Sequence, residues 1–367
     1  MIIGVDTRIA NKKKTGMGYI LANLLPLLLE MDKNNQYVLL GSDLGMEKPN
    51  FKAIRLPNLA QKILNYFWKK FFLPSANLFL GKIDRFFFPN FVDFPVSAEK
   101  KFLMIADLSF IKYPQFAEKK NQLFLSKNVG SAIKRADKII TLSESAKKEI
   151  IEYYKIPSDK VEVVYLGCPK NIYKIDDEYK INEVKNKYGI GDDYILFVGT
   201  LEPRKNIEGL IQAYSLLNDA FKEKYQLAIC GGKGWYYDKI FKLVNTLKLN
   251  GHIVFTGYVP EQDLSSIYSG AALFAFPSFY EGFGLPILEA FTCGIPVLVS
   301  NNSSLPEVAG EAVIYCDAEK VETIKDGIEK ILTDNKLRNE LVEKGFIQLQ
   351  KFSWDKTAEK VVKLLNG

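Results

Sequence analysis

Two carboxylates, Glu281 and Glu289, lie in the otherwise apolar segment SFYEGFGLPILEAFTCGIPVLVS, residues 278–300. Pro286 suits the first turn of a helix, because its fixed backbone angle is helical and its missing N–H would have no partner there. We therefore predict a helix that begins near Leu285. Glu281 would then lie in the loop before the helix, and Glu289 about one turn inside it.

The start of this helix is a candidate anion site. Phe283, Gly284 and Leu285 would present backbone N–H groups at the positive end of the helix dipole. Over a continuous helix the carboxylates would be about 12 Å apart, whereas those of a retaining glycosidase are separated by about 5 Å. Two acids that flank an anion site instead suit an elongated ligand with hydroxyls at both ends and phosphate in the middle, such as a nucleotide sugar. The alternative is one glutamate at a helix start and one in solvent, although carboxylates in so apolar a segment need hydrogen-bond donors.

A second candidate phosphate site follows another apolar run. Gly199 and Thr200 end that run, and Arg204 and Lys205 come just before a helix predicted to begin near Asn206. Two fixed cations beside a helix start suit a diphosphate leaving group, because they stabilise the negative charge that develops on it. Solvated basic residues on a loop are the alternative interpretation.

A glycine pair near the N-terminus could also approach a phosphate or an acceptor. Gly16 and Gly18 lie in the basic segment KKKTGMGYI and open an apolar helical pattern. Backbone amides at such a turn are suited to anions. Leu21 occupies the third glycine position of the usual phosphate-binding pattern, so a plain strand-to-helix turn is the alternative.

Short apolar runs alternate with longer amphipathic segments, which is typical of an α/β fold. The runs before residue 168 are MIIGV, YVLLGS, RFFFP, KFLMIA, KIITLS and VEVVYLG, and those after residue 193 are YILFVGT, YQLAICGG, HIVFTGYV, LFAFPS, IPVLVS and AVIYCD. Strands this uniformly apolar are buried on both faces, as in parallel sheets covered by helices. A polar, lysine-rich stretch from Pro169 to Asp193 separates the two series. We therefore predict two doubly wound α/β domains with the ligand site in the cleft between them.

The composition favours an ordinary globular protein. A chain of 367 residues is too long for a single domain of ordinary size, and 47% of the residues are hydrophobic. The 49 basic and 43 acidic residues give a net charge of +6. This small excess favours anionic ligands without indicating a nucleic-acid-binding protein. The four cysteines have no metal-like spacing and indicate reduced thiols. Because the N-terminus does not resemble a signal peptide and no apolar run reaches about 18 residues, we expect a cytoplasmic protein.

The sequence resembles the large family of retaining glycosyltransferases with the GT-B fold, which includes bacterial mannosyltransferases of lipopolysaccharide and capsule assembly. The matching motifs span the chain and are TGMGY, DRFFFPNF, ADLSFIKYP, IITLSESAKKEI, FVGTLEPRKNI, GYVPEQDLSSIYSGA, PSFYEGFGLPILEAFTCGIPV, SSLPEVAGEAV and FSWDKTAEKVVKLL.

The resemblance implies a definite domain organisation. Residues 1–168 would form an acceptor-binding Rossmann-like domain, and residues 169–350 a nucleotide-sugar-binding Rossmann-like domain, with a cleft between them. Residues 351–367 would form a helix that crosses back to the first domain. Apolar residues at helical intervals in this last segment agree with such a helix.

The resemblance also implies roles for the candidate site residues. Arg204 and Lys205 would hold the donor diphosphate, Glu281 would contact the transferred sugar, and Glu289 would contact the nucleotide ribose. The remaining donor-binding residues would be the amides of the helix start and the two glycine turns, namely Phe283, Gly284, Leu285, Gly199, Thr200, Gly16 and Gly18.

The implied reaction retains the anomeric configuration and needs no metal or other cofactor, since the leaving phosphate helps to deprotonate the acceptor. The paired aspartates, Asp176 with Asp177 and Asp192 with Asp193, form no D-x-D motif after a strand. The residues therefore agree with the metal-independent reaction that the family implies.

The chain departs from the family pattern at Ala106, where members often carry a histidine before the aspartate of ADLSF. Asp107 is then the best polar candidate for catalysis in that loop, with Ser143 another. The only histidine, His252, begins a predicted strand of the second domain and is interpreted as structural.

We therefore expect a retaining hexosyltransferase that moves mannose from GDP-mannose to a glycan or lipid-linked acceptor in cell-surface polysaccharide synthesis. The likeness around SSLPEVAG favours GDP-mannose. A nucleotide-sugar-binding protein without turnover is the alternative, because Ala106 replaces the histidine. An α-glucan phosphorylase of the same fold would need a much longer chain and a pyridoxal phosphate lysine motif.

The segment QKILNYFWKKFFLP, residues 61–74, mixes aromatic residues with lysines. Such a helix either lies in a membrane interface or packs in the core with a basic outer face. A lipid-linked acceptor would favour peripheral contact with the inner face of the membrane.

Overall fold

The computed structural model describes residues 1–11, 16–46, 50–168 and 170–367. Thr15 of the TGMGY motif and Pro169, the first residue of the predicted second domain, lie outside the described residues. The chain forms two compact units. The first unit comprises Met1–Lys112, Lys119–Gly167 and Ser353–Gly367, and the second comprises Tyr113–Glu118 and Cys168–Phe352.

The first unit contains a seven-stranded parallel sheet in the order β3-β2-β1-β4-β5-β6-β7. With strands and helices numbered in chain order across both units, its strands are β1 Ile2–Thr7, β2 Gln36–Gly41, β3 Phe51–Ile54, β4 Arg85–Phe88, β5 Lys100–Met104, β6 Lys138–Thr141 and β7 Val161–Val163. Both neighbours of β1 run parallel to it, with Ile3 beside Tyr37 of β2 and Arg85 of β4. The central strands are almost wholly buried, as expected for a parallel sheet covered on both faces.

Helices cover this sheet, and the last of them comes from the end of the chain. The helices are α1 Met17–Met31, α2 Asn58–Phe71, α3 Asn77–Leu80, α4 Ser109–Lys112, α5 Lys119–Arg135, α6 Glu144–Tyr154 and α16 Trp354–Asn366. The helix α16 packs on α1, and the ring of Trp354 meets that of Tyr19 edge to face with centroids 6.4 Å apart. Thr357 further donates a hydrogen bond to the carbonyl of Tyr165 at 2.7 Å. The predicted C-terminal helix on the first half is therefore confirmed.

The second unit contains a six-stranded parallel sheet in the order β10-β9-β8-β11-β12-β13. Its strands are β8 Asp193–Val198, β9 Tyr225–Cys230, β10 Ile253–Gly257, β11 Leu273–Phe276, β12 Val297–Ser300 and β13 Ile314–Cys316. Its helices are α7 Glu178–Tyr188, α8 Ile207–Ser215, α9 Asp219–Lys224, α10 Asp238–Thr246, α11 Glu261–Ser269, α12 Leu285–Thr292, α13 Leu305–Ala309, α14 Val321–Thr333 and α15 Asn335–Leu349. In both sheets the strand order reverses beside the first strand, as in doubly wound folds.

Each of the twelve apolar runs identified in the sequence forms a strand, so the prediction of two parallel α/β sheets is confirmed. The additional strand is β3, whose sequence FKAI is short and only partly buried. A second difference is the segment Tyr113–Glu118, which is flanked by residues of the first unit but belongs to the second.

Only part of the apolar side of α2 lies in the core. Trp68 is its one buried residue, whereas Leu59, Ile63, Tyr66, Phe67 and Phe71 are exposed. Trp68 belongs to the hydrophobic core and the partly buried Leu64 packs against it, so the interpretation of residues 61–74 as a core helix holds for these two residues and not for the exposed ones. No helix among the described residues is both long and apolar enough to cross a membrane.

Candidate active site

The basic pair predicted from the sequence lies on a tight turn between β8 and α8. Pro203–Lys205 forms one turn of 3-10 helix, and Asn206 follows in the left-handed conformation with φ 54°. Asn tolerates this conformation because its short side chain bonds locally. Here the Asn206 side chain caps α8 by accepting from Gly209 N at 3.2 Å. The helix therefore begins where the sequence predicted.

Glu281 binds both cations of this turn. Arg204 Nη1 donates to Glu281 Oε2 at 2.8 Å, and Lys205 Nζ donates to Oε1 at 2.6 Å. Arg204 also donates to Glu202 Oε1 and to the carbonyl of Tyr280, each at 2.6 Å. Glu281 is only 8% exposed. The interpretation of Arg204 and Lys205 as solvated loop residues is therefore wrong, and so is that of Glu281 as a helix-start or solvated acid.

The two cations decide the charge of Glu281. Burial alone would raise the pKa of this carboxyl, but the charges of Arg204 and Lys205 and the hydrogen bonds from them outweigh burial and lower the pKa to about 2. The group is consequently an anion at neutral pH. It can stabilise positive charge, but it cannot donate a proton there.

Glu289 has a different environment, although it lies in the same segment. The helix α12 begins at Leu285 as predicted, and Glu289 is its fifth residue. The half-buried carboxylate accepts a hydrogen bond from the Tyr268 hydroxyl at 2.7 Å. Burial raises the pKa of Glu289 to about 7, against the lowering effect of the Tyr268 hydrogen bond and with a small contribution from the charge of Glu261. This group therefore changes its charge near neutral pH.

Two serines shape the loop that carries Glu281. Ser303 Oγ accepts from Glu281 N at 3.0 Å, and Ser304 Oγ lies 2.8 Å from the carbonyl of Glu281 and 3.0 Å from that of Phe283. Gly284 then adopts a φ of 110°, which non-glycine residues rarely adopt, and becomes the N-cap of α12. The two serines therefore contact the backbone from Glu281 to Phe283. Only Gly284 separates this loop from Leu285, the first residue of α12.

The glycine turn after β8 is in close contact with the turn after β9. Gly199 N donates to the carbonyl of Cys230 at 2.9 Å. A Cβ on Gly231 would lie 1.8 Å from the carbonyl oxygen of Gly199, so no side chain fits at that position. Thr200 continues the same turn towards the basic pair.

Aromatic rings of the segment Tyr113–Glu118 pack just before Glu281. The ring of Phe116 stacks on that of Phe279, with centroids 5.2 Å apart and planes 24° apart. The ring of Tyr113 contacts that of Tyr280, with centroids 5.5 Å apart. Trp235 Nε1 donates to the Phe116 carbonyl at 2.5 Å. The segment therefore contacts Tyr280, whose carbonyl accepts a hydrogen bond from Arg204.

The remaining predicted residues belong to the first unit and not to the cluster in the second. Gly16 is the N-cap of α1 with φ 52°, and Gly18 is buried in the first turn of that helix. Asp107 follows β5 and accepts from Ser109 N at 2.8 Å. Ser143 is buried, and its Oγ caps α6 by accepting from Ala146 N at 3.1 Å.

Other reactive groups of the described chain have ordinary roles. All four cysteines are free thiols, three of them buried and Cys168 half-buried. Nδ1 of His252 lies 3.0 Å from the carbonyl of Lys222. Across the described ranges there is no group of three or more His, Cys, Asp or Glu side chains that could hold a metal ion.

Two units that each contain a parallel, doubly wound α/β sheet are the architecture of the GT-B glycosyltransferases. The family model of glycosyl transferases group 1 matches residues 180–348. Together with the relatives described next, this match shows that the chain belongs to the glycosyl transferase group 1 family.

Two relatives are mannosyltransferases of Escherichia coli by name. O-antigen chain mannosyltransferase B is 37% identical over 268 residues, which cover 73% of this chain and 70% of that protein. Serotype-specific mannosyltransferase WbdA is 39% identical over 227 residues, which cover 61% of this chain but only 28% of that protein. Among solved structures, sucrose-phosphate synthase from Thermosynechococcus elongatus aligns with a TM-score of 0.77 at 19% identity, covering 100% of this chain and 98% of that one. At this identity the structural match shows the fold alone.

Sequence reasoning missed several residues that complete the site. Each of four such residues contacts at least one of the predicted residues, namely Glu202, Tyr268, Ser303 and Ser304. Glu202 had a usable signal, because it precedes the basic pair in the quoted motif LEPRKN. Tyr268 had none, since a tyrosine near the end of an amphipathic helix is usually part of the core.

Proposed function

We propose that the protein is a retaining mannosyltransferase that transfers mannose from GDP-mannose to a glycan or lipid-linked acceptor in cell-surface polysaccharide synthesis. The observation that carries this proposal is the buried Glu281 with one hydrogen bond from each of Arg204 and Lys205. The cluster places two cations and a fixed carboxylate in direct contact. Family membership supports glycosyl transfer as the reaction class.

In this proposal Arg204 and Lys205 bind the diphosphate of the donor. Their side chains are less than one quarter exposed, so their charges act in a medium that screens them weakly. As the bond from the anomeric carbon to the phosphate oxygen breaks, negative charge grows on the leaving diphosphate. Cations already in place stabilise that charge without reorganisation.

Glu281 then stabilises the sugar that loses the diphosphate. Its pKa of about 2 keeps it ionised, so it acts as a charge and hydrogen-bond acceptor and not as a general acid. The anomeric carbon becomes positively charged in an oxocarbenium-like transition state. A fixed carboxylate nearby lowers the energy of that state more than it lowers the energy of the neutral donor.

Retention follows if the acceptor attacks from the face that the diphosphate leaves. The acceptor oxygen forms the new bond to the anomeric carbon, and its proton passes to an oxygen of the departing diphosphate. This route needs no enzymatic base, which suits the loop where Ala106 precedes Asp107. It also assigns no chemical step to a metal.

Glu289 is proposed to bind the ribose. The carboxylate is one helical turn beyond the start of α12 and has a neutral or singly charged state near pH 7. Two hydroxyls of a ribose would donate to it and favour the charged form. Mannose is favoured because both reported relatives are mannosyltransferases by name. GDP is favoured by the resemblance around SSLPEVAG.

The experiment offers the purified chain GDP-mannose, UDP-glucose, UDP-galactose and dTDP-sugars with mannose-terminated acceptors, with and without EDTA. We expect transfer of mannose from GDP-mannose, an α-linked product by NMR, and full activity in EDTA. A β-linked product would exclude retention, and loss of activity in EDTA with rescue by Mn²⁺ would exclude the metal-independent route. Binding of the nucleotide sugar without product would instead identify a binding protein without turnover.

We further propose that α2 contacts an anionic membrane that carries the acceptor. Its exposed aromatic and aliphatic side chains lie among the exposed Lys62, Lys69 and Lys70. Lys70 Nζ lies 5.2 Å from the centre of the Phe71 ring, so the charges and the apolar groups are adjacent. An apolar face flanked by cations is typical of interfacial helices.

Vesicle binding tests this contact. Replacing Lys69 and Lys70 by Glu should weaken binding to phosphatidylserine-containing vesicles by about 1 kcal/mol or more for each lysine removed. The matched control replaces Lys239 and Lys242, two exposed lysines of α10, by Glu. Equal weakening in both variants would mean that net charge, and not α2, determines the binding.

A further inference from the structure

A cavity of about 470 Å³ lies in the second unit beside the turn that carries the basic pair. This volume is within the range of roughly 300–1,000 Å³ found for small-molecule sites. Three aromatic rings and three carboxylates contribute to its wall, namely Phe116, Tyr236, Phe279, Glu202, Glu208 and Glu319. The cavity therefore combines flat apolar surfaces with strong hydrogen-bond acceptors.

The cavity is next to the proposed donor site but is distinct from it. Of the described residues, those that line the cavity do not include Lys205, Glu281 or Glu289. Glu202 belongs to both places, because it lines the cavity and accepts from Arg204 at 2.6 Å. A ligand in the cavity would thus contact Pro203, the first residue of the turn that is proposed to hold the diphosphate.

The aromatic wall is held in place by the fold. Phe116 is stacked on Phe279, and its carbonyl accepts from Trp235, so its ring has a fixed position. Tyr236 follows in the left-handed conformation with φ 58°, and its side chain is 54% exposed. A bulky residue adopts this conformation at a cost, and such strain persists most often at functional sites. The strained backbone places an exposed ring on the cavity.

The charge of the wall selects the class of ligand. No Lys or Arg side chain lines this cavity in the part of the chain that the structure describes, whereas Glu208 and Glu319 do, together with Glu202, which is paired with Arg204. Phosphates and carboxylates would be repelled. A neutral ligand with hydroxyls and flat C–H faces would satisfy both parts of the wall, since its hydroxyls donate to carboxylates and its C–H faces pack on rings. Saccharides have this chemistry.

We propose that this cavity binds a saccharide unit of the acceptor glycan, other than the unit that carries the reacting hydroxyl. The assignment of the saccharide to the acceptor rests on the proposed function, whereas the saccharide class rests on the cavity itself. Binding here would hold a long acceptor beside the donor site and favour it over a single sugar.

Calorimetry on the full chain tests the proposal with α-linked mannose oligosaccharides of two to five units as the probe. We expect Tyr236→Ala and Glu319→Gln each to weaken oligosaccharide binding about tenfold, as for the loss of one good contact. Binding of GDP should be unchanged in both variants, because neither residue belongs to the proposed donor site. The matched controls are Tyr179→Ala and Glu311→Gln, which change exposed residues of the same types that do not line the cavity.

A kinetic measurement separates this site from a merely structural role. In the cavity variants the KM for a pentasaccharide acceptor should rise about tenfold with kcat unchanged, while the KM for a methyl mannoside stays constant. If both cavity variants bind the oligosaccharide as tightly as the parent does, the proposal is overturned. The absence of oligosaccharide binding, or binding of spermine in place of saccharides, would overturn it as well.

The outcomes for the two proposals differ. If the parent binds oligosaccharide through Tyr236 and Glu319 but transfers no sugar from any nucleotide donor, the proposed function fails and the saccharide site stands. If it transfers mannose but the cavity variants bind and use long acceptors like the parent, the saccharide site fails and the proposed function stands.

Discussion

Glu281 and Glu289 belong to one segment of the second unit, yet their carboxyl groups have opposite electrostatic environments. Glu281 has a pKa near 2 because Arg204 and Lys205 donate to it. Glu289 has a pKa near 7 because the desolvation of its half-buried carboxyl is not offset by a cation among its described partners. Burial disfavours the charged form of both groups. The cationic hydrogen-bond partners of a carboxyl group, and not the extent of its burial, therefore determine which of the two acids is charged.

The two environments suit two tasks. A carboxylate that stays ionised can stabilise positive charge throughout a reaction, whereas one that titrates near neutrality responds to the hydrogen-bond donors of a ligand. The proposed division, with Glu281 at the sugar and Glu289 at the ribose, matches these properties. Substitutions at Lys205, Glu281 and Glu289 test that division.

The largest expected effect comes from the cation that holds Glu281. Lys205→Ala should lower kcat at least ~100-fold, because a fixed charge on the leaving diphosphate acts mainly in the transition state. Circular dichroism should show an intact fold, and Lys239→Ala on the exposed side of α10 serves as the control. Parent-like kinetics in a folded Lys205→Ala variant would remove this residue from the site.

Glu281→Gln should lower kcat by about 30-fold while GDP affinity changes little, since its proposed partner is the sugar and not the nucleotide. Rates at saturating donor and calorimetry with GDP measure the two quantities separately. A loss of GDP binding as large as the loss of turnover would place Glu281 at the nucleotide.

Glu289→Gln should weaken GDP and GDP-mannose alike by about tenfold with a smaller change in kcat, because the ribose is present in both ligands and changes little during reaction. In the parent, GDP affinity should rise as pH increases through 7, since the ribose hydroxyls favour the ionised form. A pH-independent affinity in the parent would contradict the assignment of Glu289 to the ribose.

The smallest expected effect is on stability, and its sign differs between the two acids. The folded state raises the pKa of Glu289 from 4.5 to about 7, so the parent loses stability as pH rises through this interval. The free energy of unfolding of Glu289→Gln, relative to that of the parent, should therefore increase by about 1 kcal/mol between pH 5 and pH 8. Urea unfolding at both pH values measures it. The contribution of Glu281 is present above pH 4.5 and is lost as pH falls towards 2, so Glu281→Gln should differ most from the parent at neutral pH. The same pH trend in both variants would contradict the opposite shifts.

The regular parts of this molecule were predictable from local pattern. Buried parallel strands need uninterrupted apolar runs, and Pro286 and Asn206 mark helix starts through their own backbone preferences. The basic pair and the two acids were also recognisable, because their residue types are unusual in such apolar surroundings. The strand β3 was missed because FKAI is too short and too exposed to show either pattern.

What the sequence could not show depends on contacts between distant residues. Arg204 and Glu281 are 77 positions apart, and Tyr268 and Glu289 are 21 positions apart, so no local pattern reveals which acid receives a cation. The exposed apolar side of α2 is a similar case, because its amphipathic pattern is equally compatible with a core or an interface. The segment Tyr113–Glu118 joins the second unit through aromatic contacts that spacing alone does not indicate.

The helix α16 makes the first unit discontinuous in sequence, and this has a consequence for biosynthesis. Residues that complete the first unit leave the ribosome after the whole second unit has been made. The sheet of the second unit can therefore close while the side of α1 that receives Trp354 is still uncovered. A fragment that stops at Gly167 would keep that apolar side exposed, so the first unit should be recovered as a soluble folded fragment only when α16 is supplied with it.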